Sequence, residues 1–246
     1  MKLSKTVIFS IIISAFLLNS CGNCRKCKGD SEGLLFVQGK ISSIDFMMPG
    51  KVTIIEDPEE LSDQAIIMRG PTAHLEAINR VVDGTGKWSI IYGACVESGC
   101  PDVDILIIVK DFSVIKNLTV SDAGKIFADS SLSTSELTLN VSGSGEIELS
   151  KLSVTTLNTS ISGSGTINIK GIGTSVNHTQ SGSGILEGFN YQAQNYSINH
   201  SGSGVAKINV TNNLNANLSG SGDVLYVGNP TITSEITGSG QLLDNN

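Results

Sequence analysis

Arginine is nearly missing from this chain of 246 residues. Arg25, Arg69 and Arg80 all lie in the first third, and from Leu132 to the end there is none. Over that same stretch only Lys151, Lys170 and Lys207 carry positive charge. Aromatic residues make up 5%, with Trp88 the one tryptophan. Charged residues make up 16%, and the formal net charge is −7. A chain so poor in cations repels nucleic acid and anionic lipid headgroups. Few aromatics together with many Gly, Ser, Thr and Asn suit a repetitive β architecture rather than a helical one. No nucleophile elbow, phosphate-binding loop or zinc-ligand spacing is present, and no cofactor or metal is expected. The one long apolar run, Val7 to Leu18, is too short for a comfortable membrane span.

That run is a signal. Lys2 and Lys5 precede it, and Leu18-Asn19-Ser20-Cys21 closes it in the pattern of a bacterial lipobox. Residues 1–20 are therefore read as a lipoprotein signal peptide, with Cys21 acylated and the membrane reached through that anchor. Gly22 follows the cysteine, in place of the aspartate linked to inner-membrane retention. The expected location is thus the outer membrane, on its periplasmic or its cell-surface face. Removal of residues 1–20 leaves 14 basic against 23 acidic residues, a charge of −9. Residues 21–33 read as a tether. Cys24, Cys27, Cys95 and Cys100 remain as candidate disulfide partners, with three connectivities open.

Residues 34–110 are β-rich without a repeat. Apolar runs at Leu34–Val37, Val52–Ile55, Ala65–Met68, Trp88–Tyr92 and Val103–Val109 predict strands. Asp83-Gly84-Thr85-Gly86 predicts a hairpin turn, and His74–Val82 fits a short helix.

From Asp111 onward a period takes over. Ser-Gly-Ser-Gly begins at Ser142, Ser162, Ser181, Ser201 and Ser219, and Thr-Gly-Ser-Gly at Thr237. The spacings are 20, 19, 20, 18 and 18, and Ser121-Asp122-Ala123-Gly124 is a degenerate first copy. A fixed period of this size marks a solenoid. Around each copy the aliphatics alternate, as in Leu137, Leu139, Val141, Gly143, Gly145, Ile147 and Leu149, so the flanks are strands with one buried face. The fold expected is an all-β, single-chain β-helix of about seven coils of 18–21 residues, preceded by a β-rich N-terminal half. The paired glycines (Gly143 and Gly145, Gly163 and Gly165, Gly182 and Gly184) are read as structural turn residues. So are Gly202 and Gly204, Gly220 and Gly222, and Gly238 and Gly240. Each is expected to supply open φ space and no bulk where a tight wall nears the opposite one. The serines face outward.

Parity also sends polar residues inward. His178, Gln180 and His200 fall on the buried face, with Thr159 stacked beside His178. Such a cluster is either a binding site or an interior polar ladder whose members satisfy one another. Eight Asn-x-Ser/Thr sequons, from Asn117 to Asn217, read as surface asparagines of the coils. Glu146 and Glu148 are the only acids on one face of one strand. A β-helix lyase or hydrolase needs clustered carboxylates and a basic proton abstractor, and this pattern does not supply them. An enzyme is not expected.

The lipobox, the β-rich N-terminal stretch and the repeat Leu-x-Leu-x-Val-Ser-Gly-Ser-Gly-x-Ile-x-Leu together resemble the GIN-domain family, the auto-transporter adhesin head domain of Bacteroidetes lipoproteins. The likeness covers about residues 34–246, with 34–110 as the β-rich stretch and 111–246 as the repeats. Leu75–Asn79 followed by Gly86–Ile90 resembles the family's N-terminal pattern. The resemblance implies a β-helix-like fold and an exported protein, and no catalytic residues. The expected function is a lipid-anchored envelope adhesin or binding module for a glycan or protein. The alternatives are a carbohydrate-active β-helix enzyme, of the pectinase or lyase type, or a purely structural envelope protein. The last coil has little to cap it, so either the tail packs over the end or two copies meet end to end.

Overall fold

The structure, a computed structural model, describes residues 30–35, 39–59, 64–94 and 102–246. Cys21, Cys24, Cys27, Cys95 and Cys100 lie outside the described residues. Among the described residues no helix is long and apolar enough to cross a membrane.

The strands are β1 (Asp30–Leu35), β2 (Ser43–Phe46), β3 (Gly50–Glu56), β4 (Gln64–Pro71), β5 (Lys87–Ile90), β6 (Val103–Val109), β7 (Asn117–Val120), β8 (Lys125–Ala128) and β9 (Leu132–Val141). They continue with β10 (Glu146–Ile161), β11 (Thr166–Gln180), β12 (Ile185–His200), β13 (Val205–Leu218), β14 (Val224–Val227), β15 (Thr231–Ile236) and β16 (Leu242–Asp244). Among the described residues a short α-helix, α1 (Thr72–Ala77), ends at Ile78, whose backbone is extended and bridges to Tyr92, and a 3-10 turn spans Phe112–Val114. The Asp83–Gly86 turn joins Val82 to Trp88. Its Asp83 carboxylate accepts from the Thr85 and Lys87 amides at 2.8 and 3.0 Å.

The chain winds as a β-solenoid. Seven stacked corners, at Ser121 and the six tetrapeptides, bound six turns of 18–21 residues. Each turn has three walls. The first wall follows the corner, and its parallel strands run β6, β3, β8, then the starts of β10 to β13, then β14 and β16. The second wall is the middle of β10 to β13 with the start of β9, from the pairs Leu132↔Leu152 and Leu152↔Gly171 onward. The third precedes the corner and runs β5, β2, β7, the ends of β9 to β13, and β15.

Pairing in register stacks like on like. On the first wall Ile105, Val52, Ile126, Ile147, Ile167, Leu186, Ala206, Val224 and Leu242 form one interior column. All but Leu242 are at most 1% exposed. A period of two sends every second side chain into this shared core, which no single coil could enclose.

The N-terminal region belongs to the same stack, and its levels are out of chain order. Strands β2 and β3 lie between the level of β5 and β6 beneath and that of β7 and β8 above. Asp45, 8% exposed, links three levels: it pairs with Lys87 at 2.8 Å and accepts from the Ser121 hydroxyl at 2.8 Å. Below, the antiparallel strands β4 and β1 extend the first wall.

The corner glycines have a different cause from the one expected. None of them lies in the left-handed region. The obstacle is the coil beneath, not the opposite wall. A Cβ on Gly163 would fall on the Gly143 carbonyl oxygen, and one on Gly182 on that of Gly163. The same carbonyls accept two amides from the coil above: Ser164 and Gly165 donate to Gly143 O, both at 3.1 Å. Left-handed backbone occurs at the next corner instead, at Gly171 (φ 143°) and at Lys151 (φ 58°).

Candidate functional site

Inside the third wall, β10 and β11 bring Thr159, His178 and Gln180 together. The Thr159 hydroxyl lies 2.8 Å from His178 Nδ1, His178 Nε2 lies 3.0 Å from Gln180 Oε1, and Gln180 Nε2 donates to Gly184 O at 2.6 Å. Since the Gln180 amide nitrogen donates to a carbonyl, its oxygen accepts from His178 Nε2–H, and His178 Nδ1 accepts from Thr159. This is one unbroken donor–acceptor chain around a neutral imidazole. Burial holds the His178 pKa down at about 4. His200, stacked on Gln180 one level up, donates from Nε2 to Gly204 O at 3.1 Å. Its pKa is also lowered, chiefly by burial. His200 Nδ1 and the Tyr196 hydroxyl are buried with no hydrogen-bond partner among the described residues. At 1% exposure or less, His178, Gln180 and His200 have no contact with solvent through which to meet a ligand. Thr159, His178 and Gln180 satisfy one another inside an otherwise apolar column, and His200 is held by the Gly204 carbonyl alone.

The outer faces of the three walls differ. Apart from the Asp45–Lys87 pair of the third wall and the Lys151–Asp129 pair at a corner, the ion pairs among the described residues lie on the first wall. Lys125 Nζ bridges Glu148 at 2.7 Å and Glu146 at 3.2 Å, and Lys207 bridges Glu187 at 2.7 Å. The two glutamates that share a strand face are thus held by one ammonium, and the Glu148 bond leads the rise in the Lys125 pKa. Among the described residues no group of three His, Cys, Asp or Glu could hold a metal ion.

The third wall shows ladders of asparagine. Asn177 donates to Asn158 Oδ1 at 2.9 Å and Asn213 to Asn195 Oδ1 at 2.8 Å. Each amide occupies its neighbour one level away. A shallow depression of about 330 Å³ lies over this wall between Ser175 and Thr233.

The second wall carries a longer groove, of about 630 Å³, from Ser113 and Ser133 to Thr211. Among the described residues its lining is Ser, Thr, Gln, Ile, Val, Gly and Ala, without one charged residue. In contrast to the third wall, Ser135, Thr155, Thr174 and Gln194 are exposed and make no side-chain hydrogen bond to a described residue. Sequence patterning does not single out these positions, because each second-wall strand is only about three residues long and sits between two bends. Their signal is parity: each lies one residue from a buried or half-buried one.

The top coil is open. Ile232, Ile236 and Leu243 are 39%, 46% and 37% exposed. The last residues continue the first wall, where the Asn246 side chain brackets Gly228 N and O at 2.8 and 2.9 Å.

A family model described as "Putative auto-transporter adhesin, head GIN domain" matches residues 97–230, more than half of the chain. The chain belongs to the GIN-domain family. Among curated proteins none matches it. Solved structures share the fold of this GIN-domain chain. A "putative adhesin" from Bacteroides fragilis superposes with a TM-score of 0.82 at 19% identity, over 90% of this chain and 100% of that one. A "putative lipid binding protein" from Parabacteroides distasonis gives 0.73 at 19% identity, over 91% and 100%. A "putative adhesin" from Parabacteroides merdae gives 0.70 at 18% identity, over 92% and 100%. At these identities the likeness establishes the fold. Family and fold together support an adhesin-like role for the GIN domain, and the family is described as an adhesin rather than an enzyme.

Proposed function

We propose that this GIN-domain protein is a lipid-anchored cell-envelope adhesin, a binding module for a glycan or protein held to the outer membrane through acylated Cys21. One observation carries the binding reading. The outer walls present ranks of uncharged Ser, Thr, Asn and Gln on a rigid stack, and the second-wall rank of Ser135, Thr155, Thr174 and Gln194 makes no side-chain hydrogen bond to a described residue. A rigid array loses little entropy on binding, and many copies on one cell add avidity. The lipobox supports the anchor, and Gly22 supports the outer membrane. The proposal includes an end-to-end contact between two copies through the open coil at Ile232 and Ile236. Sedimentation of the wild type against Ile236→Lys tests it, with a monomer expected for the variant.

The central experiment pairs a glycan array and a protein-capture screen with a reducing-end assay on the same preparation. Retention without product release is the expected result; release of reducing ends overturns the binding-only reading. Palmitate labelling of the wild type, lost in Cys21→Ser, tests the anchor. Protease shaving of intact cells assigns the face.

A further inference from the structure

We propose that the second-wall groove is the ligand site and that its ligand is an uncharged, linear glycan lying along the axis of the stack; this rests on the binding-module reading above. Four observations converge on it.

The first is charge. Among the described residues the groove lining has no ionisable side chain, and the mature chain carries −9. An anionic polymer is repelled, and a cationic one finds no counter-charge in the groove to offset its desolvation. Uncharged ligands alone meet neither obstacle.

The second is hydrogen-bonding capacity. Serine and threonine hydroxyls and the glutamine amide each donate and accept. Ser135, Thr155, Thr174 and Gln194 form one rank, a level apart, with no partner among the described residues. Sugar hydroxyls have that same dual character, so each can bond to whichever role the wall leaves open. On the third wall the equivalent amides are taken by one another.

The third is the floor. Between the two ranks run Val154, Gly173 and Ala193, whose side chains turn into the core at 2% exposure or less where present, so the floor is backbone, and the apolar contact comes from Ile172, 60% exposed in the opposite rank. The Ile172 side chain suits the C–H face of a pyranose ring, while the hydroxyl rank opposite it is left to the ring's hydroxyls.

The fourth is direction and length. The groove crosses six levels, from Ser113 to Thr211. Five steps at the strand spacing make roughly 24 Å. The donors repeat along the axis, so a ligand with its own linear repeat meets several levels at once. A peptide adding as a β-strand needs an open sheet edge, which this wall lacks at mid-stack.

The test uses the full chain in detergent. Hexamers of β-1,4-glucose, β-1,4-xylose, β-1,4-mannose and α-1,4-glucose are titrated by calorimetry and NMR, with a galacturonic acid hexamer as the charged comparator. The variants are Thr174→Lys in the groove, its smaller counterpart Thr174→Ala, and Asn215→Lys on the third wall. Those with unchanged melting temperature are compared. The expected result is that at least one neutral hexamer binds more tightly than its trimer and the galacturonate does not bind. Thr174→Lys then weakens binding tenfold or more, Thr174→Ala by roughly two- to tenfold, and Asn215→Lys leaves it unchanged. Loss of binding in Asn215→Lys but not in Thr174→Lys overturns the site and leaves the binding-module reading standing. Preference for the galacturonate, or capture of a protein with no neutral glycan bound, overturns the ligand class and likewise leaves that reading. Failure of every glycan and every protein to bind overturns both.

Discussion

Gly163 carries a hydrogen where any other residue would set a carbon against the Gly143 carbonyl, and that carbonyl already holds two amides of the upper coil. Gly163→Ala must therefore push neighbouring coils apart or break the bonds between them. A loss of about 3 kcal/mol or more is expected in denaturant unfolding. Gly84→Ala, with open space around it, should stay within about 0.5 kcal/mol of wild type. A second residue-scale prediction concerns pH. The folded pKa of His178 lies below the unfolded one, at about 4. Below pH 6.5 the unfolded chain binds a proton that the folded chain refuses, so the stability His178 contributes is complete above 6.5 and is lost as pH falls toward 4. The loss is about 3 kcal/mol, and His200 adds to it in the same direction. Urea melts at pH 7 and pH 4.5 should show most of this drop, about 2 kcal/mol. His178→Leu should cost about 1–3 kcal/mol at pH 7, since Thr159 and Gln180 lose their partner. It should then lose less than wild type on acidification. An equal loss in both proteins would contradict the burial argument. The inward placement of these residues was legible from parity alone. Their bonding order was not, because it depends on which atoms meet across a level, and a linear chain does not record that.

Strands of four residues escape a sequence reading for a physical reason. Ser43–Phe46 and Asn117–Val120 each offer two buried apolar side chains at alternating positions, too few for a period to emerge. The longer runs at Val52, Ala65, Trp88 and Val103 were legible as strands, and so was each Ser-Gly-Ser-Gly coil. The second corner was not legible. It is not uniform: β12 and β13 turn there without left-handed backbone, Gly171 adopts it freely, and Lys151 adopts it at φ 58°. A side chain there costs about 1 kcal/mol. Lys151→Gly should therefore raise stability by up to about 1 kcal/mol, visible as a small upward shift in melting temperature. Its surface pair with Asp129, at 3.5 Å and with both partners largely exposed, subtracts little. A fall of more than about 1 kcal/mol would mean that the corner relies on the Lys151 bond to Asp129 O.

At the scale of the molecule, the repeat announced a stack but not the order of its levels. Strands β2 and β3 lie beneath a level that arrives some 70 residues later in the chain, and above one that arrives about 45 later. Such an insertion is invisible to a search for periods. The two ends behave differently as a result. Removal of residues 231–246 strips one coil from the open end and should leave a folded protein, with a circular-dichroism β signal and a melting temperature lower by several degrees. Removal of residues 39–56 takes a level from the interior of the stack and should leave no cooperative transition.

That sandwiched level also constrains how the chain is made. Residues 43–56 leave the ribosome early, yet the surfaces that enclose them emerge only with residues 87–128. The growing chain must hold an unfinished level in waiting. Every later coil then settles at once onto a finished edge. Gain or loss of a whole repeat is therefore a tolerable genetic event beyond Ser142 and a ruinous one before it, so the length of this head can vary from one side alone.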